Sequence, residues 1–99
     1  MATTLQAVIP EPMAAEVRRL GERYHVRNIR VFGSFARGDA RPDSDIDLLV
    51  EYVPGGSGFD FVRFADAVEE LLGRKVDVVT DESLHPLIRD RVLSQAVPL

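Results

Sequence analysis

The sequence predicts an α/β (α+β) fold, a small mixed β-sheet flanked by helices, and three observations predict it. Three short runs rich in β-branched residues, at 28–32, 46–53 and 75–79, read as strands. Around them, apolar residues recur at helical spacing. Glycine and proline clusters separate the two kinds of pattern. The resulting order, α-β-turn-β-α-β-α, implies a mixed sheet with helices packed mainly on one face and an open, carboxylate-lined cleft.

Each element has a local reason. Pro10 and Pro12 sit where a helix can begin, and Met13, Val17 and Leu20 follow at helical spacing, so a first helix is expected over about 11–24 with Gly21 near its end. The strand at 28–32 runs straight into Gly33-Ser34. Residues 35–44 carry Gly38, Asp39, Pro42 and Asp43, the composition of a short helical turn followed by a loop. The strand at 46–53 is followed by Pro54-Gly55-Gly56-Ser57-Gly58, an exposed loop. Phe61, Phe64, Ala65, Val68, Leu71 and Leu72 form an amphipathic stripe that Gly73 can cap. After the third strand, a last helix over about 84–95 has Leu87, Ile88, Val92 and Leu93 as its apolar stripe. Phe59, Phe61 and Phe64 read as core side chains rather than a base-stacking platform. His25 and His85 read as surface residues, and Arg18, Arg19, Arg89 and Arg91 as solvated charges.

Composition narrows the function. The 99 residues suffice for one core, so a single domain over 1–99 is expected. There is no cysteine, which excludes disulfides and thiolate metal sites. The first ten residues hold neither a basic residue nor a long apolar run, so no signal peptide or membrane span is expected and the default address is the cytoplasm. A net charge of −4 argues against unaided binding to nucleic acid. It leaves nucleotides open, because a bound divalent cation supplies positive charge locally.

The informative stretch is Gly33-Ser34, ten intervening residues, then Asp45-Ile46-Asp47. Residues i and i+2 of a strand share a face, so Asp45 and Asp47 point together while Ile46 and Leu48 point to the core. Two adjacent carboxylates repel each other and, in a cleft, ask for a cation. Asp77, between Val76 and Val78, adds a third carboxylate in an otherwise apolar run, where a charge needs solvent, a partner or a metal. If the third strand lies beside the second, all three converge as hard oxygen ligands suited to Mg²⁺ or Mn²⁺. Two ions about 3.5–4 Å apart would then clamp the attacking and leaving oxygens of an in-line displacement, with Asp77 as base for the acceptor hydroxyl. Gly33 lets the backbone approach a phosphate, and Ser34 offers a hydroxyl and an N–H at the start of the following turn. Arg37 and Arg41 lie within reach as contacts for the β- and γ-phosphates.

This pattern resembles the signature of the DNA polymerase β-like nucleotidyltransferase superfamily. Within it, Gly33-Ser34-Phe35-Ala36-Arg37-Gly38 and Arg41-Pro42-Asp43-Ser44-Asp45-Ile46-Asp47-Leu48 look like those of the minimal nucleotidyltransferases, a likeness that covers the chain nearly end to end. The resemblance implies a polymerase β palm-like fold, Asp45 and Asp47 as the metal-binding pair, Asp77 as the third carboxylate, and Gly33 with Ser34 as the phosphate-binding turn. It further implies an antitoxin that uses ATP and Mg²⁺ to place AMP on a tyrosine of a HEPN-domain ribonuclease toxin. Two other readings fit the sequence: an antitoxin that neutralises by binding alone, and a small-molecule nucleotidyltransferase subunit that needs a partner chain.

Overall fold

The computed structural model describes residues 9–41 and 43–99; residues 1–8 and Pro42, read above as part of the N-terminal stretch and of the loop motif, lie outside them. Helix α1 (Glu11–Arg23) begins as expected, with Pro12 in the first turn, where a missing N–H costs nothing. Glu11 and Arg23 stand at the ends that suit their charges. Its buried side is Ala14, Val17 and Gly21. Gly21 is there for space: a Cβ would lie 2.7 Å from the Val26 carbonyl oxygen and 2.8 Å from Ile29 Cδ1. Gly21→Ala is expected to cost about 1–3 kcal/mol by overpacking, and a lowered Tm with unchanged secondary structure would register it.

Strand β1 (Val26–Phe32) starts two residues earlier than the sequence pattern suggests. The chain enters it through His25 at φ 62°, and Asn28 at φ 51° falls within a break of register between Arg27 and Arg30. That irregularity shifts the in–out alternation and hides the first part of the strand from a period-of-two reading. Helix α2 (Ser34–Arg37) is the single expected turn, closed by Gly38 in the left-handed conformation. Strand β2 (Ile46–Tyr52), helix α3 (Gly58–Leu72) and strand β3 (Val76–Thr80) then form a parallel β-α-β unit. Gly73 caps α3 at φ 67°, as its position implies.

The sheet order is β3-β2-β1-β4, with β1 antiparallel to both of its neighbours. Strand β4 (Val97–Pro98) is new: two residues ending in proline carry no strand signal. It pairs Val97 with Val31, and the Leu99 N–H donates to the Ile29 carbonyl at 2.9 Å. The core gathers Val17 of α1, Val31 of β1, Ile46, Leu48 and Val50 of β2, and Phe64 and Val68 of α3, with Phe35 of α2 sealed against them. Alternation along β2 therefore turns Asp47 and Glu51 to the other face. The mixed α/β architecture is as expected.

Two expectations about apolar stripes are corrected. Only Phe64 of the three phenylalanines is core; Phe59 is 74% exposed and Phe61 packs edge-on against Tyr52 at 5.6 Å. Five residues of helix separate Phe59 from Phe64 by about 140°, so one helix face cannot bury both. Helix α4 (Pro86–Gln95) buries Val92, but Leu87 is 87% and Ile88 46% exposed. His25 is also more than a surface residue, since its Nδ1 lies 3.0 Å from Asp60 Oδ2 and links the α1–β1 turn to α3. His85 Nδ1 accepts the Leu87 N–H and caps α4. Among the described residues no helix is long and apolar enough to cross a membrane.

Candidate active site

Strand register assembles the carboxylates. Asp47 lies directly beside Asp77 in the parallel pairing of β2 with β3, and opposite Phe32, the last residue of β1, on its other side. Paired strands run about 4.8 Å apart, so the two aspartates stand side by side on the face turned away from the core. One contact extends this pairing toward Asp45 and another ties the start of β3 to α3. The Ile46 N–H donates to the Lys75 carbonyl at 3.0 Å, and the Val76 N–H donates to Glu69 Oε2 at 2.9 Å. Asp45 sits one residue before β2 and is exposed, as is Asp77, whereas Asp47 is half-buried.

The electrostatics follow from this placement. Burial pushes the Asp47 carboxyl above the usual carboxylate range; the charges of Asp77 and Asp45 push it the same way, and Arg37 opposes them. Asp45, Asp47, Asp77 and Arg37 therefore share one electrostatic neighbourhood. Arg37 also approaches Asp39, with Nε 3.4 Å from Oδ2. Of the two candidate arginines, Arg37 is the one whose charge is felt at Asp47. Arg41 is exposed and joins its loop through the backbone, donating its N–H to Ser44 Oγ at 2.7 Å.

Gly33 closes the site from the β1 side. At φ 76°, ψ −149° it occupies a region open essentially to glycine alone. A Cβ there would lie 2.3 Å from Asp47 Oδ2. The glycine is thus the floor on which the Asp47 carboxylate rests, a role the sequence reading did not assign it. Ser34 opens α2 directly beyond, where the first N–H groups of a helical turn lack intrahelical partners.

Sequence reasoning also missed Arg74. Its Nη1 donates to the Arg41 carbonyl at 3.3 Å and to the Ser44 carbonyl at 3.2 Å, and its guanidinium lies 5.1 Å from the centre of the Phe35 ring. An arginine after a helix-capping glycine carries no signal of this in one sequence.

Two cavities of the molecule lie away from Asp45, Asp47 and Asp77. One, of about 490 Å³, is lined by Tyr24, His25, Tyr52 and the 53–58 loop; the other, of about 370 Å³, lies among Arg27, Glu51, Thr80 and Asp81. Asp45 and Asp77 are exposed and Asp47 is half-buried, so the three carboxylates are reachable from solvent.

The donor set fits a hard divalent cation. All three candidate ligands are carboxylates, and Asp47 is raised by burial and then by the like charges of Asp77 and Asp45, which a cation would offset. Among the described residues no three acidic or histidine side chains are drawn tightly enough to hold an ion unaided. Mg²⁺ takes oxygen donors of this kind, usually one or two carboxylates with water and substrate phosphates completing its shell.

Fold and site together define a nucleotidyltransferase, and comparison with known proteins agrees. A profile of the nucleotidyltransferase domain family matches residues 14–99, and the chain belongs to that family. Within it the chain is of the minimal kind. The protein adenylyltransferase MntA of Thermococcus cleftensis is 39% identical over 97 residues, 98% of each chain. A Methanocaldococcus jannaschii protein provisionally named an adenylyltransferase is 47% identical over 75 residues, 76% of this chain and 81% of its own. A solved structure described provisionally as a minimal nucleotidyltransferase superposes with a TM-score of 0.81 at 42% identity, covering 96% of this chain and 95% of its own. A toxin–antitoxin complex solved with AMP-PNP shares the fold, with a TM-score of 0.70 at 22% identity over 86% of this chain and 70% of its own.

Proposed function

We propose that this chain transfers AMP from ATP to a hydroxyl on a partner protein, a tyrosine of a HEPN-domain toxin, and so acts as its antitoxin. The observation that carries the reading is the register of Asp47 beside Asp77, with Gly33 packed under Asp47. The full-length likeness to MntA and the fold shared with a nucleotide-bearing toxin–antitoxin complex support it.

In this reading Asp45 and Asp47 hold Mg²⁺, or Mn²⁺ in its place, with Asp77 on the acceptor side. The cation, when bound, neutralises triphosphate charge and makes the acceptor hydroxyl easier to deprotonate. Gly33 and Ser34 present backbone N–H groups and a hydroxyl to the phosphates, and Arg37, with Arg41, supplies cationic contacts. A bond forms between the acceptor oxygen and the α-phosphorus while the α–β bridging bond breaks. Pyrophosphate leaves, and the hydroxyl proton passes to Asp77. With Asp45 and Asp77 exposed, the carboxylates are within reach of a macromolecular acceptor.

Two experiments test this. ATP labelled at the α-phosphate should mark a HEPN-domain toxin that the chain neutralises, in the presence of Mg²⁺, while ATP labelled at the γ-phosphate should not. Label from the γ position would mean phosphorylation and end the proposal; neutralisation of the toxin with no label would leave an antitoxin that works by binding. Separately, Asp77→Asn should lower transfer by about 10²–10⁴-fold, the usual contribution of a positioned base. Full activity in that variant would remove Asp77 from the mechanism.

A further inference from the structure

We infer that Arg74 is a positioning residue that sets the phosphate-binding turn and the metal-binding loop at their working separation. The inference rests, for its activity readout, on the nucleotidyl-transfer reading above.

The loop between α2 and β2 has to deliver Asp45 to the site, yet its own hydrogen bonds are local. The Arg41 N–H donates to Ser44 Oγ at 2.7 Å, and the Ser44 N–H donates to the Arg41 carbonyl at 3.0 Å. These bonds shape the turn from within, and the Ile46 N–H to the Lys75 carbonyl anchors the chain only beyond Asp45. Arg74 makes the attachment, because one guanidinium nitrogen reaches the carbonyls at both ends of the turn, Arg41 and Ser44. Ser44 is the residue before Asp45.

The same guanidinium lies over the ring of Phe35, which is 1% exposed and follows Ser34 directly. One side chain thus touches the neighbour of the phosphate-binding serine and the neighbour of the metal-binding aspartate. Its backbone is equally well placed. It precedes Lys75, whose carbonyl takes the Ile46 N–H, and lies three residues before Asp77. A planar guanidinium can stack and donate at once, which an ammonium group cannot do. Asp47 is held within the sheet; Asp45 precedes it, with the sheet holding its C-terminal side through the Ile46 N–H and Arg74 holding its N-terminal side through the Ser44 carbonyl.

The test compares the wild-type chain with Arg74→Met and Arg74→Lys. Binding of Mn²⁺ in the presence of a non-hydrolysable ATP analogue is followed by water-proton relaxation, and AMP transfer is measured in parallel. Supporting partners of metal ligands typically contribute 10–100-fold, so Arg74→Met should weaken Mn²⁺ binding by about 10-fold and lower kcat by about as much. The KM for ATP should rise less than kcat falls, since the Gly33-Ser34 turn stays in place. Lysine should recover part of the loss but not all of it. If either variant is folded and binds Mn²⁺ as tightly as the wild type, the inference is overturned; lysine decides the matter should methionine prevent folding. A wild-type chain that binds Mn²⁺ and nucleotide but labels no partner would refute the transfer reading alone, with the Mn²⁺ comparison still deciding the role of Arg74.

Discussion

Replacing Asp45 and Asp47 together by asparagine is expected to lower AMP transfer by about 10³-fold or more, because it removes the charge that holds the cation against the triphosphate. The same change should leave the fold intact, and for Asp47 the effect on stability has a definite sign. Burial, then Asp77, then Asp45 raise the Asp47 carboxyl above its unfolded value. The folded protein therefore holds that proton more tightly than the unfolded chain does. Stability from this group is present at low pH and is lost as pH rises through the folded value, so ionised Asp47 destabilises the metal-free protein at neutral pH. Asp47→Asn alone should consequently raise the Tm of metal-free protein at pH 7. The gain should shrink as pH falls through and below the ordinary carboxylate range, where the wild-type carboxyl is protonated as well. Calorimetry of both proteins in the presence of a chelator checks this, and a lower Tm for the variant at pH 7 would contradict the electrostatic account. Toxin neutralisation by the double variant would separate catalysis from masking: retained neutralisation means that binding suffices.

Gly33→Ala is the second change with a large expected effect. The residue sits at φ 76°, ψ −149°, and a methyl group would lie 2.3 Å from Asp47 Oδ2. A side chain forced into such a region costs about 1–3 kcal/mol, which in a domain of this size lowers Tm by roughly 5–15 °C. The collision adds a functional loss. The carboxylate must swing off its floor, and displacement of about 1 Å at a reacting centre can cost about 10²-fold in rate. The expected result is a folded, less stable protein whose transfer activity is down by about that factor. Unchanged activity would show that the carboxylate does not depend on Gly33. Gly21→Ala provides the contrast, since it should destabilise the protein through the α1–β1 contact while leaving the activity of the folded fraction intact.

Some of this was determined by the sequence alone, because it is local. The alternation of helices and strands from α1 to α4, the strand at Asp47, the single turn after Gly33 and the glycine cap of α3 follow from short-range patterning and backbone sterics. The spacing of Gly33-Ser34 from Asp45 and Asp47, with Asp77 on a later strand, likewise pointed to nucleotidyl transfer, and the family match agrees.

What the tertiary structure decided is what depends on which elements become neighbours. Asp77 joins Asp47 only because β3 lies parallel to β2 in a particular register, which no pattern within either strand specifies. The break in β1 and the two-residue β4 exist only as partners of other strands, so neither has a local signature. Phe59, Leu87 and Ile88 look like core residues until the packing of their helices leaves them outside. Arg74 is legible only in three dimensions: its partners at 41, 44 and 35 are roughly 30 or more residues away along the chain, and the guanidinium reaches them because α3 returns the chain to the end of the sheet at which β2 and β3 both begin.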